Sequence, residues 1–327
     1  MTGRAVPSNL TGMDPQARAL LDRMALDGTA SVQGVCPEQA RALFSTTRAK
    51  YQPPMAEVSS CRTIDLPRSP EGVRVRLYRG LGTDPSLALP ALLFLHGGGW
   101  MLGDLDTYDA ICARIANDAV CCVASLDYRL APENPFPAAL DDARLALQWL
   151  HDSARELHID ASRIAIGGDS AGATLATASA ICSRDGALPP IISQVLIYPC
   201  TDLDMKSDAF AQDWAGAPLT SEIMRNYIAN YVPNPADRED WRASPMRAPS
   251  FAGFPPTLVV SAGIDPLRDD SFALSGRLEA EGSPVTHLHF SDQFHGFLPM
   301  WHVLDAADRA MDFIVRNLVD QFGTSGG

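Results

Sequence analysis

From residue 91 onward short apolar runs alternate with amphipathic segments, and that rhythm limits the chain to few architectures. Strands are expected at 91–95, 120–126, 163–167, 192–198, 257–262 and 284–290, with helices near 106–118, 137–157, 171–185, 269–281 and 300–321. Such alternation predicts a parallel sheet covered by helices on both faces. Two β runs precede it, Val58–Leu66 and Val73–Tyr78, the second alternating as Val73, Val75, Leu77. They read as an antiparallel pair at the sheet edge. The expectation is an α/β fold with a mostly parallel eight-stranded sheet.

Two strand ends carry glycine clusters. Gly168-Asp169-Ser170-Ala171-Gly172 follows Ile164-Ala165-Ile166, and His96-Gly97-Gly98-Gly99-Trp100 follows Ala91-Leu92-Leu93-Phe94-Leu95. A strand running into G-x-S-x-G forces its serine into a sharp turn, exposes the side chain and aims the next backbone N–H at the same point. G-x-S-x-G alone is a weak signal and His-Gly-Gly-Gly a rarer one; the alternative for both is a turn that merely connects strand to helix. The pair, in this order and each after an apolar strand, implies a serine hydrolase.

A serine hydroxyl needs a base to take its proton, and the base needs a carboxylate to hold its tautomer. With a nucleophile elbow these follow the serine in the order acid, then histidine. Asp265 follows the run 257–262 and is the expected acid; its alternative role is a helix cap before Pro266. Asp269 and Asp270 fall in the first turn of the next helix, where acidic residues are common. His295 follows the last strand in a loop and is the expected base. His287 and His289 alternate within that strand as surface residues, His302 falls in the last helix, and His151 and His158 precede the serine. The N–H groups of Gly97, Gly98 and Ala171 are the expected oxyanion donors. His96 is expected to pin their loop. Trp100, Phe210, Trp214 and Leu219 are candidate pocket walls.

Residues 1–50 stand apart. Asp14-Pro15 opens one helical pattern with Leu20, Leu21, Met24 and Ala25 on a stripe, and a second follows Pro37 with Ala40, Leu43 and Phe44. They suit an N-terminal helical cap on a catalytic domain at 51–327. Between Tyr198 and Pro255 the alternation breaks around a helical run, Ser221–Tyr231, which is too long for a simple connection. A cap insertion is expected at about 200–250. The tail from Gly323 is expected to fray.

The 26 Lys and Arg against 39 Asp and Glu leave a net charge of −13. A nucleic-acid or anionic-membrane surface would want the opposite sign. The seven cysteines show no C-x-x-C pairing, and Cys112, Cys121, Cys122 and Cys182 read as small buried hydrophobes, as expected in a reducing compartment. No leader pattern and no long apolar span is apparent, so a cytoplasmic protein is expected, with no metal and no cofactor.

These motifs, with Tyr128-Arg129-Leu130-Ala131-Pro132-Glu133 and Asp265-Pro266-Leu267-Arg268-Asp269, resemble the hormone-sensitive-lipase-like esterases of the α/β-hydrolase fold. The likeness is to the bacterial branch with a G-D-S-A-G nucleophile motif, and it covers nearly the whole chain. It implies a carboxylesterase that cleaves short- to medium-chain acyl esters through an acyl-enzyme. It also implies an N-terminal helical cap, a homodimer, and Arg129 and Glu133 as supports of the oxyanion loop. A lipase, or an amidase or carbamate hydrolase on the same triad, stays open. Plant gibberellin receptors resemble the family as non-catalytic binders but lack a working triad histidine, which His295 supplies here.

Overall fold

The computed structural model describes residues 10, 12–27, 32, 34–67, 69–70, 72–212 and 214–323. The expected leaderless start and most of the frayed tail lie outside them. Two helices come first, α1 (Pro15–Leu26) and α2 (Pro37–Tyr51). Asp14 caps α1 by accepting the N–H groups of Gln16 (2.8 Å) and Ala17 (3.1 Å), with Pro15 in the first turn.

The hairpin β1 (Ser60–Asp65) and β2 (Arg74–Arg79) follows, then β3 (Leu89–Leu95), α3 (Leu105–Asp118), β4 (Cys122–Asp127), α4 (Ala138–Asp152), β5 (Ile159–Asp169), α5 (Ala171–Arg184) and β6 (Gln194–Ile197). After an irregular stretch with α6 (Asp208–Ala211) and α7 (Ser221–Tyr231), the alternation resumes with β7 (Thr257–Ile264), α8 (Arg268–Ala280), β8 (Val285–Phe294) and α9 (Asp305–Phe322). The last helix starts five residues later than the sequence suggests. His302 therefore lies in the turn before α9, not within it.

The eight strands form one sheet in the order β1-β2-β4-β3-β5-β6-β7-β8. Pairing is antiparallel at β1–β2 and β2–β4 and parallel from β4 to β8. Side chains alternate between two buried layers: Ala91, Leu93, Leu95, Ile164 and Ile166 join the layer of α4, α5 and α8, while Leu92, Phe94, Ala165, Val195 and Ile197 join that of α3 and α9. A strand buried on both faces reads as a continuous apolar run, which is why β3 and the Ile164–Ile166 part of β5 stand out in the sequence.

The chain leaves β3 for β4 on one side and later returns to β5 on the other. Connections diverge at such a switch point and open a crevice at the strand ends, where ligands bind in open α/β sheets. Both glycine clusters sit there. Among the described residues no helix is long and apolar enough to cross a membrane.

Candidate active site

The turn after β5 is built around glycine. Ser170 has φ +53°, and its N–H donates to Ile197 O (2.8 Å), tying the turn to β6. A Cβ on Gly172 would lie 2.6 Å from His96 O and closer still to Leu95 O, and one on Gly168 would lie 2.8 Å from the Gly172 carbonyl carbon. Side chains there would push α5 off β3. A non-glycine residue at positive φ costs on the order of 1–3 kcal/mol, and the packed sheet and helix hold it there.

Ser170 meets two groups from the far side of the sheet. Asp265 and His295 extend β7 and β8, where a register shift after Ala262 brings Ile264 opposite Phe294. Gly263 permits the shift, since a Cβ would lie 2.7 Å from Ser291 Cα. Asp265 is fully buried and divides its oxygens. Oδ1 accepts Leu267 N–H (2.8 Å), and Oδ2 accepts His295 Nδ1–H (2.7 Å). Oδ1 thus holds the turn before α8, whose N-cap is Leu267 and not Asp265, while Oδ2 is left to His295. With its proton on Nδ1, His295 presents a bare Nε2 to the Ser170 hydroxyl at 3.0 Å. This chain of hydrogen bonds can draw the proton from Ser170 and stabilise the resulting imidazolium. The buried Tyr198 ring packs 4.5 Å from the imidazole.

The glycine loop expected to supply oxyanion donors departs from that expectation at Gly97. Its N–H donates to Asp169 Oδ1 (2.7 Å) and shares Tyr108 Oη (3.0 Å), so it is not free for a substrate. The cavity at Ser170 is lined by Gly98 and Gly99 instead. Among the described residues the N–H groups of Gly98, Gly99 and Ala171 have no acceptor. Their directions are set through the carbonyls of their own peptides. Gly97 O accepts His96 Nδ1–H (2.8 Å), which turns the Gly98 N–H the opposite way across a trans peptide. Gly98 O accepts Met101 N–H (3.1 Å) and Leu102 N–H (2.9 Å), which turns the Gly99 N–H likewise. Gly98 (φ +112°) and Gly99 (φ +62°) take backbone angles that suit glycine.

Buried polar groups support this loop. His96, whose burial holds its pKa low, stays neutral; its ring stacks 4.2 Å from Tyr128, and Tyr128 Oη donates to His96 O (2.7 Å). Asp169 also accepts from Tyr108 Oη (3.1 Å), and burial pushes its carboxyl pKa up. Glu133 reaches the loop through Arg41, which pairs with it (2.6 Å) and donates to Met101 O (2.9 Å). Arg129 instead pairs with Asp142 on α4 (2.8 Å).

The cavity holds about 1000 Å³. Phe210, Trp214 and Leu219 line it, as do Leu21, Met24 and Phe44 from the first two helices. Trp100 does not: it stacks on Tyr231 (4.4 Å, 3° between planes), folded under the loop. Asp269 and Asp270 hold the root of the insertion, accepting Ala209 N–H (2.7 Å) and Thr201 N–H (2.7 Å). His287 and His289 share Ser261 Oγ at 2.7 and 2.8 Å. Sequence reasoning missed Gly99, Tyr108 and Arg41; the third consecutive glycine was the available signal. Among the described residues no cluster of three or more His, Cys, Asp or Glu side chains could hold a metal ion.

A family model for the alpha/beta hydrolase fold matches residues 92–299. An ethyl acetate hydrolase of Pseudomonas putida is 36% identical over 285 residues, 86% of this chain and 89% of that protein. The esterase LipI of Mycobacterium tuberculosis is 38% identical over 249 residues, 76% of this chain and 77% of its own. A crystallised ester hydrolase from the metagenome of Lake Arreo, in complex with a bipyridine phosphonate derivative, superposes with a TM-score of 0.90 at 35% identity, covering 95% of this chain and all of that one. A hyperthermophilic esterase from Pyrobaculum calidifontis gives 0.86 at 31% identity, over 94% of this chain and 98% of its own. Sheet order, elbow and matched sequence agree: the chain belongs to the α/β-hydrolase fold family, among its hormone-sensitive-lipase-like carboxylesterases.

Proposed function

We propose that the protein hydrolyses short- to medium-chain acyl esters in two steps through an acyl-enzyme on Ser170. The observation that carries this is the relay from Asp265 through His295 to Ser170, at 2.7 and 3.0 Å, opening on an apolar cavity. Ser170 attacks the carbonyl carbon while His295 takes its proton. The carbonyl oxygen becomes an oxyanion held by the N–H groups of Gly98, Gly99 and Ala171, at the positive end of α5. His295 then protonates the leaving alcohol, and a water activated by the same histidine releases the acid.

The N-terminal helices and the insertion at about 200–250 act as a cap over the catalytic domain, since both contribute cavity walls. A cavity of this size takes both the acid and the alcohol half of a small ester, and the chain-length preference comes from the likeness to ester hydrolases of small esters such as ethyl acetate. The protein acts in the cytoplasm as a homodimer on small-molecule esters. Hydrolysis of a nitrophenyl ester series by wild type and Ser170→Ala tests the reading. Acetate to hexanoate should outrun laurate and palmitate, and Ser170→Ala should lose nearly all turnover. Unchanged turnover in that variant would overturn the mechanism; preference for the long esters would overturn the substrate class.

A further inference from the structure

Arg48, on α2, lines the same cavity as Ser170 and is only 8% exposed. Its guanidinium lies 4.9 Å from the Phe44 ring centroid and 5.0 Å from that of Tyr108. Nη2 donates to Tyr108 Oη (3.2 Å), while Nη1 is buried without an acceptor. Among the described residues no carboxylate comes within ion-pair distance of Arg48, although most of the chain's arginines have one. Asp169, the buried carboxylate that feels its charge, is already taken by Gly97 and Tyr108.

A guanidinium so far out of water is costly unless paired. A brace for Tyr108 would need Nη2 alone. Nη1 has no accessible surface in this conformation, so a carboxylate in the chamber engages it through a small shift of the Arg48 side chain, after which guanidinium grips it by charge-assisted hydrogen bonds. Phe44, Met24, Leu21 and Met300 share the lining and lower the local dielectric, which strengthens such a pair. Glu222 and Arg225 also line the cavity, both exposed on α7, and their opposite charges offset.

We propose that Arg48 forms a carboxylate subsite in the substrate chamber, so that preferred esters carry a carboxylate a few bonds from the scissile carbonyl. This rests on the hydrolase reading above and deepens it to a substrate class. The carboxylate can belong to the acid or to the alcohol half, and the assay separates them. One arm uses monoethyl succinate and monoethyl glutarate against the diethyl esters. The other uses O-acetylglycolate and 3-acetoxypropanoate against their ethyl esters.

In at least one arm wild type should favour the charged ester by about tenfold or more in kcat/KM, the scale of one charge-assisted contact. Arg48→Met should bring that ratio to about one or below, and Arg48→Lys, which keeps the charge without the fork, should keep part of it. Free succinate and glutarate should inhibit neutral-ester hydrolysis competitively in wild type, and more weakly in Arg48→Lys. This second readout stands even if Arg48→Met does not fold. Preference for the neutral ester in both arms overturns the subsite. So does an equal loss on charged and neutral esters in Arg48→Met, which would make Arg48 a brace or a water ligand. Hydrolysis of neutral esters by wild type, abolished in Ser170→Ala, reports the underlying reading separately.

Discussion

Gly99→Ala separates the oxyanion assignment made here from the one the sequence suggests. A Cβ on Gly99 would lie 2.7 Å from Tyr227 Cε2 and closer still to Cγ and Cδ2. Carbon atoms pack at about 3.5–4.0 Å, so loop and ring must part by about 1.5 Å. Tyr227 is buried on α7, so the four-residue glycine loop is the softer partner. Moving the Gly99 N–H by that distance takes it beyond hydrogen-bond reach of the oxyanion. Loss of one such donor costs about 10²–10³ in kcat, roughly 2.7–4 kcal/mol. The alanine at φ +62° adds about 1–2 kcal/mol of backbone strain. In a chain of this length that lowers Tm by only about 2–4 °C. The assay is pre-steady-state hydrolysis of nitrophenyl acetate beside a thermal melt. Acylation should slow at least about a hundredfold while the fold survives. Gly99→Ala with Tyr227→Ala should recover much of the rate, because the obstruction is removed while the strain stays. A folded Gly99→Ala variant with kcat within about threefold of wild type would falsify the donor role.

Further outcomes follow from the same geometry. Asp265→Asn should lower kcat by about 10⁴, because the amide no longer enforces the proton on His295 Nδ1; steady-state kinetics read it, and a loss below tenfold refutes the relay. Burial pushes Asp270 up to about 7, against 3.8 when solvated. A carboxyl raised in the folded state contributes stability that is complete below about pH 4 and lost as pH rises through about 7. Wild type should therefore lose on the order of 2–4 kcal/mol between pH 4 and 8 through this group, and Asp270→Asn should flatten that slope in urea titrations. An identical slope in both proteins defeats the argument. Trp214→Ala, which opens the cavity wall, should raise KM for butyrate esters several-fold with a smaller change in kcat; the reverse pattern would place Trp214 outside the chamber.

Most of the architecture is legible in the chain because its strands are buried on both faces. β3, β7 and the Ile164–Ile166 part of β5 appear as apolar runs, and each glycine cluster marks where backbone meets backbone. Ser170, Asp265 and His295 stand out because an elbow sets their order along the chain and each follows a recognisable strand. Boundaries were less legible. Pro299 marks the 3₁₀ turn at Leu298–Met300, but nothing local says that the turn after it delays α9 to Asp305.

Local pattern determined that this chain forms a parallel α/β sheet and which serine its sharpest turn exposes, because periodicity and glycine act within a few residues. Only the tertiary structure decided which N–H groups remain free around that serine. Gly97 looked equivalent to its neighbours until Asp169, 72 residues away, and Tyr108 took its hydrogen. Trp100 looked like a wall until Tyr231 covered it, and it is packing alone that removes Arg48 from water. A hydrogen bond or a burial depends on what arrives from elsewhere in the chain, and the residue's own neighbours in sequence do not specify that.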